Sequence, residues 1–166
     1  MEALVTWFTL NLGPYISSKV VIFIISLMPI LELRGGLLAA SLLKVPELEA
    51  IPICIIGNIL PIPFILLFIK KIFKWMKHFQ IFRGLIEKLE SRAMGKSDTI
   101  KKYEFWGLLL FVGIPLPGTG AWTGALIASL LGIDIKKSSL AILGGIAMAT
   151  VIMYIISYGL LGSIIS

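Results

Sequence analysis

The stretch Phe105–Ile133 reads FWGLLLFVGIPLPGTGAWTGALIASLLGI, 29 residues without a charge. As one helix it would cross a hydrocarbon core of ~30 Å with residues to spare. Its middle forbids that helix. Pro115-Leu116-Pro117-Gly118-Thr119-Gly120 puts two prolines and two glycines into six residues, which removes amide donors and loosens the backbone. Each flanking arm has roughly 9–13 residues and as helix reaches only ~14–20 Å. Such arms are too short to cross a bilayer. The expected solution is a re-entrant hairpin over 105–133, dipping to mid-membrane and leaving by the side it entered.

A second apolar region, Val20–Leu43, is interrupted in the same manner by Glu32-Leu33-Arg34-Gly35-Gly36, which predicts a first hairpin over 20–43. Pro29 precedes one break and Pro115 the other. Ala40-Ser41-Leu42-Leu43-Lys44-Val45 resembles Ala128-Ser129-Leu130-Leu131-Gly132-Ile133 at an offset of 88. A transmembrane helix is expected after each hairpin, over 50–69 and 139–165. The first carries Gly57-Asn58 and should kink at Pro52, Pro61 and Pro63. In the second, Gly144-Gly145, Ala147 and Ala149 offer a smooth face for close helix approach. One span separates the hairpins, so the second enters from the opposite face. The fold class expected is an all-α polytopic membrane protein built as two inverted repeats.

Composition agrees with a membrane domain. Hydrophobic residues make up 58% and charged residues 14%, the mean hydropathy is +1.00, and 99 of 166 residues lie in uncharged runs. Soluble domains carry about 25% charged residues, so a water-soluble enzyme, a disordered chain and a fibrous protein are excluded. The net charge of +6 does not point to nucleic acid, because ten of the fifteen Lys and Arg residues lie between Lys70 and Lys102. Basic loops between spans mark the cytoplasmic side, which places 70–102 inside a multi-pass plasma-membrane protein. The hairpin topology then puts twelve basic residues inside and two outside, and a rival with four full spans eleven and three. Charge barely separates the two. The Pro-Gly break decides for hairpins.

Two further elements complete the chain. Ile72, Trp75, Phe79, Phe82, Ile86 and Leu89 recur at spacings of three and four among lysines, predicting an amphipathic interfacial helix over 70–94 on the cytoplasmic surface. His78 belongs to it as an interfacial side chain. Residues 1–15 read as a short interfacial helix ended by Gly13-Pro14, and the lone Cys54 reads as a packing residue.

Glu32 and Arg34 are the charged pair within an otherwise apolar region. Ionisable groups at membrane depth usually pair, face a cavity and serve transport. The carboxylate is the natural proton site, and the guanidinium fork suits a phosphate or carboxylate. The bland alternative is a salt bridge between them that holds the tip. Gly35 and Gly36 share this tip. The second tip offers Pro115, Pro117, Gly118, Thr119, Gly120, Trp122 and Thr123, with free backbone groups and a helix N-terminus that could bind an anion without any arginine. Its own bland reading is a turn that lets the two tips pack tightly. Asn58, mid-span, is a candidate binding residue or an interhelical hydrogen-bond partner. No nucleophile–base set, metal-ligand cluster or cofactor motif is visible, so neither enzyme, metal nor cofactor is expected.

The segments Met28–Gly36 and Pro115–Ala125 together resemble the signature stretches of the small multidrug export protein family. That family in turn resembles, distantly, the DedA/VTT membrane proteins. This resemblance implies two facing re-entrant hairpins, lipid flipping (including of polyprenyl phosphates) and an acidic residue at Glu32. DedA proteins carry arginines flanking the proline of the second hairpin, where this chain has Gly113 and Gly120. The leading expectation is a proton-coupled transporter or flippase of an amphipathic, lipid-like substrate. Its partners would be membrane lipids and, given so few helices to enclose a pathway, a second copy in a homodimer. The alternatives are a proton-coupled exporter of hydrophobic cationic drugs and a non-transporting assembly or lipid-binding protein.

Overall fold

The structure is a computed structural model of the 166-residue chain and describes residues 17–79, 83–84, 86–88, 90–91, 98–116 and 118–160. The interfacial helix expected over 1–15 lies outside them. Among the described residues the main helices, in order, are α1 (Ser18–Leu27), α2 (Glu32–Leu42), α3 (Glu47–Ile59), α4 (Ile62–Met76), α5 (Asp98–Gly113), α6 (Ala121–Leu131) and α7 (Ile135–Tyr154), which continues as a π-helix, Ile155–Leu160. Among the described residues there is no strand.

Proline and glycine set the breaks. Met28 precedes Pro29 and takes the extended backbone (φ −74°, ψ 139°) that proline imposes on its neighbour, which ends α1. α5 stops at Gly113, just before Ile114-Pro115. It also bends sharply at Glu104 (φ 36°, ψ −94°), leaving Glu104–Gly113 as its apolar arm. The helices α1, α2 and α6 have 10, 11 and 11 residues, about half the ~20 needed to cross a membrane.

Among the described residues two helices are long and apolar enough to cross: Glu47–Trp75, 29 residues of hydropathy 2.3 that join α3 to α4, and Ile135–Gly159, 25 residues of hydropathy 2.2. Each buries only 39% of its most apolar window inside the protein. Ile56, Phe64, Phe68, Leu140 and Val151 point outward, as side chains that meet lipid would. The first span departs from the expected 50–69. Its helix starts at Glu47, behind Pro46, and continues past the lysines to Trp75. Of the three prolines, Pro61 marks the junction between α3 and α4. Pro52 lies inside α3, and Pro63 falls in the first turn of α4, where a missing amide costs nothing.

Of the amphipathic helix expected over 70–94, Lys70–Met76 continues α4, and Lys77 Nζ pairs with Glu90 Oε2 at 2.6 Å. Residues 80–82, 85, 89 and 92–94 lie outside the described residues.

Each half packs its short helices against its own span: α1 meets α2 and α3, while α5 meets α6 and α7. Each span then reaches across, α4 onto α6, and α7 with its π-helix onto α2. Two glycines permit close approach to a neighbouring helix's backbone. A Cβ on Gly57 would stand 2.9 Å from the Phe23 carbonyl oxygen of α1, and one on Gly145 would stand 2.8 Å from the Leu109 carbonyl oxygen of α5. The glycines are 88 residues apart. At the same offset the second short helices end alike. Val45 N donates to Ala40 O at 2.9 Å and Ile133 N to Ala128 O at 3.0 Å, with left-handed Lys44 (φ 52°) and Gly132 (φ 72°) just before.

Gly57→Ala and Gly145→Ala each push a methyl group into backbone, so each is expected to destabilise the folded protein by about 1–3 kcal/mol. Gly84→Ala, in a helical position where nothing lies within 4 Å, should leave stability unchanged or raise it by up to about 1 kcal/mol. Thermal unfolding in detergent measures all three.

Candidate functional site

The break between α1 and α2 faces the break between α5 and α6, and the charged pair lies between them. Glu32 and Arg34 are 4% and 6% exposed. They do not bridge to each other: among the described residues, the ion pairs lie elsewhere. Each instead holds a helix end of the opposite half.

Glu32 takes the N-terminus of α6. Its Oε2 accepts from the Ala121 amide at 2.9 Å and its Oε1 from the Trp122 amide at 3.1 Å. The first amides of a helix have no partners within it and carry the positive end of its dipole. The anion site expected at this N-terminus is therefore filled by the chain's own carboxylate. Glu32 reaches it from a left-handed backbone (φ 51°), a conformation costing about 1–3 kcal/mol. Two hydrogen bonds to a charged group, about 1.5–3 kcal/mol each, offset that cost. Gly120 makes room. With φ 138° it suits no L side chain, and a Cβ there would stand 2.7 Å from the Glu32 Cδ.

Arg34 takes the other helix end. Its Nη1 donates to Leu116 O at 2.8 Å, and its Nη2 to Ile114 O at 3.1 Å, Val112 O at 3.2 Å and Thr119 Oγ1 at 3.1 Å. These carbonyls close α5 and flank Pro115, at the negative end of the helix dipole. Thr119 reinforces the turn, its hydroxyl lying 2.8 Å from Leu116 O and 3.0 Å from Ile114 O. A third bond returns from the second tip to the first, where the Trp122 indole Nε1 donates to Leu27 O, the last carbonyl of α1, at 3.2 Å.

A cavity of about 180 Å³ lies between the tips. Glu32, Arg34, Thr119 and Thr123 form its polar wall, and Pro29, Ile30, Leu31 and Gly118 the rest. Ile30 and Leu116 stand exposed at the two tips, at 74% and 54%.

The remaining expected site residues fall around this centre. Gly120 and Trp122 touch Glu32, and Pro115 sits among the carbonyls that Arg34 binds. Gly35 and Gly36 do not line the cavity. They let α2 lie against α1, Gly35 meeting Leu31 and Ile25, Gly36 meeting Ser26 and the buried Cys54. Asn58 is also apart, buried in α3, and its Oδ1 has no hydrogen-bond partner among the described residues. Pro117 lies outside the described residues. The carbonyls of Leu27, Val112, Ile114 and Leu116 escape a reading of side-chain types. Their signal is the proline that follows, since it ends the helix and strands its last acceptors. Among the described residues no three of His, Cys, Asp and Glu converge as metal ligands.

These features describe a small membrane protein with a buried charged centre where broken helices meet. The model of one protein family, described as "Putative small multi-drug export protein", matches residues 32–152. The chain belongs to that family, and with its two apolar helices it is a membrane protein. The match takes in Glu32, Arg34, the second tip and most of both long helices, and ends within the second at Ile152. No curated protein and no solved structure matches the chain.

Arg34→Lys keeps the charge but cannot reach four acceptors, and Gly120→Ala drives a methyl group into the Glu32 carboxylate. Each is expected to cost about 1–3 kcal/mol, read as a lower unfolding temperature in detergent. Unchanged unfolding in both would mean that the tip contacts carry no stability.

Proposed function

We propose that the chain is a proton-coupled secondary transporter, or flippase, for an amphipathic, lipid-like anion such as a polyprenyl phosphate. The observation that carries this reading is the cradle at the N-terminus of α6, where two backbone amides already hold a carboxylate. Helix N-termini bind phosphate by the same contacts. The reading also takes the halves as inverted repeats, each a re-entrant hairpin followed by a span, on the DedA/VTT plan. The glycine contacts and helix ends repeated at an offset of 88 support it. So does Arg34, whose guanidinium lies beside Pro115, where the resemblance to DedA proteins calls for arginine. Gly113 has no room for one, since Met148 packs against it.

Cavity size favours a lipid-like substrate. About 180 Å³ is below the roughly 300–1,000 Å³ of pockets that enclose a drug-sized ligand. A headgroup fits, with its hydrocarbon tail running outward past Ile30 and Leu116. In this scheme protonation weakens the hold of Glu32 on the two amides, and the substrate's phosphate takes them. Proton and anion enter the tip together, and the tips part on one side or the other as the exchange occurs. The basic segment 70–102 faces the cytoplasm of the cell on this reading.

Export of hydrophobic cations is the second reading, and the family description favours it. Arg34 spends its charge on three carbonyls and a hydroxyl, so it repels a cation less than an unpaired arginine would. Here Glu32 would leave α6 to bind the drug.

Liposomes carrying the purified protein and a labelled polyprenyl phosphate test the first reading. Leaflet exchange should exceed that of empty liposomes and respond to a pH gradient, and Glu32→Gln should abolish the response. Exchange no faster than in empty liposomes under every gradient, with gradient-driven uptake of a fluorescent lipophilic cation, would transfer the assignment to drug export.

A further inference from the structure

A second polar cavity lies far along the chain from the tips, and the repeat offset shows what is unusual about it. Where α2 ends, the C-terminal part of the second span closes the space beside it. Ser41 Oγ donates to Ser157 O at 2.7 Å, and the Tyr158 hydroxyl donates to Val45 O at 2.9 Å. Adding 88 to Ser41, Lys44 and Val45 gives Ser129, Gly132 and Ile133, where α6 ends. The residue 88 before Tyr158 is Lys70, on α4. The aromatic plug of one half is thus replaced by an ammonium group in the other.

The space there is open. A cavity of about 330 Å³ lies against Lys70, Ser129, Gly132 and Asp134, with Leu66 and Leu67 as its apolar side. The Lys70 Nζ is 3.8 Å from where a Gly132 Cβ would stand, so the ammonium group lies beside the end of α6. Lys70 has no ion-pair partner among the described residues. Asp134 caps α7, its Oδ1 accepting from the Lys137 amide at 3.1 Å, and supplies a carboxylate on the rim. Lys70 is the first charge after the uncharged run 50–69, and Asp134 the first after 105–133. Both therefore stand at the boundary between apolar chain and water, at headgroup level.

We propose that this cavity binds a phosphoamine headgroup, with its phosphate on Lys70 and its amine on Asp134. An ammonium and a carboxylate on one rim suit a zwitterion better than a plain anion, which Asp134 would repel. Leu66 and Leu67 lie where the first carbons of a lipid tail would emerge. The site does not depend on the transport reading and holds whether or not the tips move a substrate.

The test uses the full chain in detergent, stripped of lipid and titrated with short-chain phosphatidylethanolamine, phosphatidylglycerol or soluble phosphoethanolamine, with bound adducts counted by native mass spectrometry. Phosphatidylethanolamine should bind the wild type about tenfold more tightly than Lys70→Gln, a difference of about 1.4 kcal/mol. It should also bind more tightly than phosphatidylglycerol. Lys70→Tyr, which copies the plug of the other half, should bind no lipid while unfolding at the wild-type temperature or above. If soluble phosphoethanolamine binds as well as the lipid, the headgroup chemistry stands and its source is a soluble metabolite. Equal lipid binding by wild type, Lys70→Gln and Lys70→Tyr, all folded, would overturn the site. Phosphatidylglycerol binding as tightly as phosphatidylethanolamine would overturn the role of Asp134.

Discussion

A helix that stops away from water leaves its first amides or last carbonyls without partners, and each such group costs several kcal/mol in hydrocarbon. This chain has four short helix ends meeting in one place. The amides of α6 go to Glu32, the carbonyls at and just past the end of α5 to Arg34 and the last carbonyl of α1 to the Trp122 indole. Each donor or acceptor comes from the opposite half. Neither pair of short helices is complete alone, and the packing of spans across the halves, α4 on α6 and α7 on α2, follows from holding the two breaks together.

The same contacts give the centre its chemistry. A carboxyl group on a helix N-terminus and a guanidinium on a helix C-terminus each face the favourable end of a dipole, which offsets part of the cost of burying them. Both contacts are also exchangeable. A ligand that offers an anion to the α6 amides competes with Glu32 directly, so binding and separation of the tips draw on one set of hydrogen bonds. A salt bridge between Glu32 and Arg34 would lack this property, since it would satisfy both charges within one tip and leave the other tip's backbone stranded.

Much of this was legible in the sequence. The run Pro115–Gly120 located the second tip, because proline and glycine act on their own backbone and need no tertiary knowledge. The first tip falls at Met28–Leu31, around Pro29, while Glu32–Gly36, expected as the break, forms the first turns of α2. Gly144-Gly145 of the second span announced close packing for a similar reason, whereas the matching role of Gly57 was not evident. What the sequence hid was partnership. Nothing local says that Arg34 binds carbonyls 78 to 82 residues away and a hydroxyl 85 away, or that Gly120 is small to admit Glu32. Within 70–94, the pairing of Lys77 with Glu90 and the continuation of α4 through the lysines are likewise tertiary outcomes that no spacing encodes.

The central claim is that the two tips are reached from opposite faces and meet at mid-depth. Spin labels on single cysteines in a Cys54→Ala background, in bilayers, measure it through their accessibility to oxygen and to a water-soluble nickel complex. Labels at Ile30 and Leu116 should both report mid-membrane depth. Labels at Ser17 and Lys44 should report one aqueous face, and labels at Glu104 and Asp134 the other. Ser17 and Lys44 on opposite faces, or either tip label at an aqueous surface, would contradict the account.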